Sequence, residues 1–158
     1  MRKKLIAGNW KMNLGYKESE KLAKELSANL TNKDSNTVDV LICPAFVSLG
    51  IVNKVIKETE IKLGAQNLYS ENDGAFTGEI SASMLKSVGC EFVLIGHSER
   101  RKLLHETNSI LNKKIFKALE SGLKIVLCVG ESLVEREDEI YEGVIEKQLT
   151  ECLINVTE

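Results

Sequence analysis

The sequence predicts an α/β protein built on a parallel sheet. Two periodicities carry the prediction. Short apolar runs begin near residues 5, 38, 61, 92 and 124. Near-continuous apolar runs of that length suit strands covered on both faces. Longer segments of helical period lie between them, and the whole unit repeats at a spacing of about 30 residues, the size of one βα unit. Five such units follow one another without a linker or a shift in composition, so residues 1–158 read as one domain.

Each element has its own local reason. The first strand is expected at residues 5–7, Leu5-Ile6-Ala7, and a helix at 16–30, where Leu22, Ala23, Leu26 and Leu30 share a face. The second strand is 38–43; Pro44 follows it where a turn is due. The third is 61–64. Residues 66–79 show neither period and hold Asn72-Asp73-Gly74 and Thr77-Gly78. A loop of about 14 residues inside a compact domain is long, and such loops tend to be functional. The fourth strand is 92–95. Ile110, Leu111, Ile115 and Leu119 stripe a helix at 108–119. The fifth strand is 124–129, and a helix at 139–153 carries Ile140, Val144, Ile145, Leu149 and Leu153.

Periodicity leaves two topologies open. Five βα units make a flavodoxin-like doubly wound sheet. They also make the first five units of an eight-unit barrel, which usually takes about 250 residues. A sixth strand falls due near residue 155, where this sequence ends at 158, so the fold is expected either to close at five units or to be part of a larger one.

Composition narrows the function. The chain is 43% hydrophobic and 28% charged with a net charge of −2, ordinary for a globular protein and without the basic excess of a nucleic-acid or polybasic membrane binder. No apolar run approaches the roughly 20 residues of a membrane span. The basic start, Met1-Arg2-Lys3-Lys4, precedes an apolar stretch too short for a signal peptide. Cys43, Cys90, Cys128 and Cys152 are separated by 47, 38 and 24 residues, which matches no zinc spacing. Their apolar neighbours suit reduced, packed thiols and a cytoplasmic location.

Polar side chains at strand ends are the candidate chemistry. Alternation places Leu5, Ala7, Asn9 and Lys11 on one face, so an amide and an ammonium extend the carboxyl end of the first strand. Both barrels and open sheets carry their sites there. The plain alternative is a surface lysine beside a turn-making asparagine. Val93, Ile95 and His97 likewise share a face, with Ser98 expected to cap a following helix. A helix starting there favours an uncharged imidazole, because its amino end is positive. A histidine packed over a helix start is the plain alternative. Ser98 and Glu99 are too close in sequence to align with His97 as a nucleophilic triad. His105 reads as solvated. No GxxxxGK[ST] phosphate loop follows the first strand, which argues against a nucleotide-binding open sheet.

Together these segments resemble the triosephosphate isomerase family. Ala7-Gly8-Asn9-Trp10-Lys11-Met12-Asn13 is similar to its opening signature. Gly64-Ala65-Gln66-Asn67 and Gly74-Ala75-Phe76-Thr77-Gly78-Glu79-Ile80-Ser81 resemble its third strand and interface loop. Ile95-Gly96-His97-Ser98-Glu99-Arg100-Arg101 resembles its electrophile motif, and Cys128-Val129-Gly130-Glu131 with Glu135-Arg136-Glu137 resembles its fifth strand and loop. The segments run in order over the whole sequence.

The resemblance implies a TIM (β/α)8 barrel truncated to about its first five units. It implies interconversion of dihydroxyacetone phosphate and glyceraldehyde 3-phosphate through an enediolate, in glycolysis and gluconeogenesis, without cofactor or metal. It makes Asn9 and Lys11 substrate-binding, with Lys11 also catalytic beside the phosphate and the developing oxyanion. His97 becomes the electrophile, Glu99 a supporting carboxylate next to Lys11, and Thr77 a contact across a homodimer interface. The family's catalytic glutamate sits after the sixth strand in an Ala-Tyr-Glu-Pro-Val-Trp-like motif, which these 158 residues do not contain. The expectation is an incomplete site, little activity in isolation, and open sheet edges at the first and fifth strands. The alternative is a non-catalytic phosphate-binding or assembly module.

Overall fold

A computed structural model describes residues 3–30 and 38–157; Met1 and Arg2 of the basic start, residues 31–37 and Glu158 lie outside the described residues. The chain alternates strands and helices as its periodicities require. β1 (Lys4–Asn9) leads to α1 (Tyr16–Asn29), and β2 (Val38–Cys43) leads through a turn of 3₁₀ helix to α2 (Leu49–Ile56). β3 (Lys62–Ala65) is followed by the irregular loop and then α3 (Ala82–Ser87). β4 (Phe92–Ile95) precedes α4 (Ser98–Leu103) and α5 (Asn108–Glu120); β5 (Lys124–Leu127) precedes α6 (Leu133–Glu137) and α7 (Tyr141–Cys152). The expected helices at 16–30, 108–119 and 139–153 are α1, α5 and α7. The short α2, α3 and α6 were not anticipated, because one or two turns do not establish a period.

All five strands are parallel and lie in the order β1-β2-β3-β4-β5. Every crossover steps the same way. A doubly wound sheet must reverse at a switch point, so that alternative is excluded and the winding is that of a barrel.

The sheet is packed on both faces in its middle. Ile42, Leu63, Val93 and Ile95 meet Leu49, Val52, Leu85, Leu111 and Ile115 in the helix-side core. Leu41, Cys43 and Leu94, with Phe92 and Val126, form a smaller cluster of strand residues on the other face. Gly64 belongs where two strands approach closely on that face, since a Cβ there would lie 2.7 Å from Cys43 Sγ and 2.9 Å from Leu41 Cδ1. The rims differ. β1 pairs only with β2 and β5 only with β4 among the described residues, and β1 stays largely exposed, Ile6 at 61%.

Two local expectations are corrected. Val93 and Ile95 face the helices, but Gly96 takes φ +80° and breaks the alternation, so His97 turns toward the end of the sheet instead of continuing their face. The helix cap is His97, not Ser98: the imidazole accepts from the Glu99 amide, and Ser98 is already the first residue of α4.

Candidate functional site

The carboxyl ends of β1, β3 and β4 open onto one cleft of ≈ 280 Å³, lined among others by Asn9, Lys11, Gln66, Asn67, His97 and Glu99. The sheet brings Asn9 and Lys11 within reach of His97 and Glu99, 88 residues away from Lys11 in sequence. Lys11 sits one residue beyond the last hydrogen bond that ties this segment to β2, Trp10 N–H to Cys43 O at 3.1 Å. It adopts φ +54°, a left-handed conformation that costs a non-glycine residue on the order of 1 kcal/mol and persists only when the surroundings fix it. Here they do. The Lys11 amide donates to Asn9 Oδ1 at 2.9 Å, and Gln66 Nε2 donates to the carbonyls of Lys11 and Cys43, each at 2.9 Å.

The Lys11 ammonium meets Glu99 Oε1 at 2.7 Å. That hydrogen bond above all, with the charge of Lys11, holds the Glu99 carboxyl below its ordinary value against a smaller opposing effect of burial. His97 Nδ1 lies 3.3 Å from the Glu99 amide nitrogen and 3.3 Å from Glu99 Oε2. One nitrogen cannot both accept from the amide and donate to the carboxylate. The amide opens α4 and has no partner inside the helix, and the carboxylate already has Lys11, so the backbone bond decides. The ring is then neutral, with its proton on Nε2.

The same logic runs through the cleft. Asn9 has its oxygen occupied by a backbone N–H, so it presents its NH2 group. His97 has Nδ1 occupied, so it presents Nε2–H. Lys11 can only donate. Gln66 and Glu99 are the exceptions, the first with its NH2 consumed and its oxygen remaining, the second a carboxylate held by Lys11. A concave surface that turns the N–H groups of Asn9, Lys11 and His97 inward among apolar side chains suits an oxygen-rich anion.

Thr77 is not in this cleft. It lies exposed on the loop between β3 and α3, near Phe76, whose ring packs 4.8 Å from that of Tyr69. His105 is exposed, as expected. Glu131 turns to Arg136 Nη2 at 2.7 Å, and Gln148 holds the Gly130 peptide by both its N–H and C=O at 3.0 Å. The sequence reading gave no role to Gln66 or Asn67. Their position directly after an apolar run, like Asn9 and His97, was the available signal. Among the described residues no cluster of histidine, cysteine or acidic side chains could hold a metal. The cysteines are unbridged, and burial pushes Cys43 and Cys90 up to about 12.

The chain is similar to known proteins along nearly its whole length. The triosephosphate isomerase family model matches residues 4–158. A triosephosphate isomerase of Chlorobium chlorochromatii is 49% identical over 158 residues, all of this chain and 62% of that protein. One from Dictyoglomus thermophilum is 48% identical over 153 residues, 97% of this chain and 61% of its own length. The crystal structure of triosephosphate isomerase from Bartonella henselae superposes with a TM-score of 0.90 at 36% identity, covering 99% of this chain and 64% of that one. The chain thus spans a little over three fifths of the relatives it matches. On its strand order, its cleft and a match along nearly its whole length, this chain belongs to the triosephosphate isomerase family.

Proposed function

We propose that this chain carries the anion-holding and carbonyl-polarising part of a triose-phosphate isomerase site. The observation that supports it is the donor-lined cleft: Asn9, Lys11 and His97 all present N–H groups, because protein N–H groups already occupy the acceptor atoms of Asn9 and His97. Lys11 supplies the positive charge that a phosphate and a developing enediolate both need. Neutral His97 donates from Nε2 to the substrate carbonyl oxygen as negative charge gathers there. Triosephosphate isomerase is itself a standard example of a neutral-histidine electrophile working with a glutamate base. Glu99 holds the Lys11 ammonium in place.

Moving a proton between adjacent carbons also needs a base. Glu99 is bound to Lys11 and Glu131 to Arg136, so neither is available. The 158 residues by themselves are therefore proposed to bind triose phosphates with little or no turnover. The whole enzyme's activity, a two-fold interface that includes Thr77 and a cytosolic setting follow from the family and belong to the same proposal. A binding or assembly role is the second reading, favoured by the one-sided pairing of β1 and β5.

Calorimetric titration with 2-phosphoglycolate tests the site. Saturable binding is expected, weakened about tenfold or more by Lys11→Met through loss of a charge-assisted hydrogen bond. Undetectable binding, or binding indifferent to Lys11→Met, contradicts the proposal.

A further inference from the structure

Behind the cleft lies a buried ionic cluster that the proposed reaction does not use. Lys114 on α5 is 4% exposed, and Glu106 in the connection between α4 and α5 is 8% exposed. Lys114 Nζ donates to Glu106 Oε1 at 2.6 Å and to Asn67 Oδ1 at 2.7 Å. Glu106 Oε1 also accepts from Arg100 Nε at 2.9 Å. Its other oxygen, Oε2, is buried without a partner among the described residues. A lysine is seldom taken this far from water unless it holds something in place.

What Lys114 holds is the sense of an amide. An ammonium only donates, so the Asn67 atom that faces it is the oxygen. The NH2 group is then the end left over: it has no partner among the described residues, and Asn67 lines the cleft. Unrestrained, the amide is free to turn over and show its oxygen, an acceptor, to an incoming anion. Glu106 supplies the counter-charge that lets Lys114 remain charged in the interior, and Arg100 shares that carboxylate from the cleft wall.

We propose that Asn67 is a further ligand-binding residue of this cleft, donating from Nδ2 to an anionic oxygen of the ligand, and that Lys114 is its positioning residue. The inference rests on the reading of the cleft as a triose-phosphate site and adds a donor to it from the segment just after β3. Asn67 thereby joins Asn9, Lys11 and His97, so that the carboxyl end of β3 contributes to the ligand as those of β1 and β4 do.

The test is a titration of the 158-residue chain with inorganic phosphate, followed by the side-chain amide and imidazole signals in ¹H–¹⁵N spectra. Phosphate is expected to move the Asn67 NH2 pair together with the His97 signals. Asn67→Asp is nearly isosteric and keeps an oxygen for Lys114, so the fold is retained, but it shows the cleft an oxygen where the NH2 stood. Phosphate affinity is expected to fall roughly ten- to hundredfold with the melting temperature unchanged or raised. Lys114→Met releases the amide and is expected to weaken phosphate binding and to move the Asn67 NH2 pair toward the shifts of a solvated asparagine, whereas Lys114→Gln, which keeps a donor, reverses both. Asn67→Asp carries the test should Lys114→Met fail to fold. Phosphate that moves His97 but leaves Asn67 still, or that binds Asn67→Asp as tightly as the parent, overturns the inference alone. Phosphate that binds nowhere in the cleft overturns it together with the reading beneath it.

Discussion

At the residue scale, the site is built by deciding which atom of each polar side chain is left over. Alternation along β1 correctly put Asn9 at the strand end. It could not show that Lys11 is left-handed, since that depends on Gln66 bonding its carbonyl from another strand. The same alternation misplaced His97, because nothing in the local pattern announces that Gly96 departs from strand geometry. The Lys11–Glu99 pair was legible only through the family resemblance, as 88 residues separate the two in sequence. The pair makes a pH prediction. Glu99 is held below its ordinary value of 4.5 chiefly by the Lys11 hydrogen bond. A lowered carboxyl contributes its stabilisation at pH above the ordinary carboxylate range and loses it as pH falls through the lowered value. Carboxyl ¹³C shifts are expected to place Glu99 below the ordinary glutamate value, and Lys11→Met to bring it back up. A Glu99 that titrates at the ordinary value in the parent chain contradicts the pairing.

At the element scale, the strands and the three long helices were readable because each repeats its pattern long enough to be counted. The short helices were not, and side-chain caps mark two of them: Ser132 and Glu135 form a reciprocal capping box at α6, and Ser81 caps α3 by accepting from the Met84 amide. The tie between the α4–α5 connection and α5 has no signature in the sequence pattern, because Glu106 and Lys114 are eight residues apart and meet only through the turn between them. Burial alone would raise Glu106, yet hydrogen bonds from Arg100 and Lys114 outweigh it and hold the carboxyl low. Glu106→Ala strands Lys114 in the interior with only the Asn67 oxygen. Removing one partner of a buried pair typically costs about 3–5 kcal/mol. Urea unfolding is expected to show a loss of that size, and a loss below about 1 kcal/mol, the scale of exposed pairs, would show the cluster to be solvated.

At the scale of the whole molecule, the sequential strand order was beyond periodicity, which fits an open sheet as well as a barrel. The choice is made by crossover direction, and only the family resemblance anticipated it. A closed barrel has no free edges. In this chain Leu5 and Ile6 are 39% and 61% exposed on β1, and Leu133 and Val134 are 72% and 63% exposed beyond β5. Exposed strands with unpaired backbone groups recruit further chains. The purified 158 residues are expected to self-associate, with a light-scattering mass that rises with concentration, and a sharply melting monomer runs against this account. The proposed function gives these residues the anion-binding, carbonyl-polarising part of the site without a base. Isomerase turnover on glyceraldehyde 3-phosphate is the decisive measurement, made beside a His97→Gln chain purified in parallel. The same background rate is expected from both. Turnover by the parent chain that His97→Gln abolishes would mean that another group among these residues takes the proton, and the claim would fall.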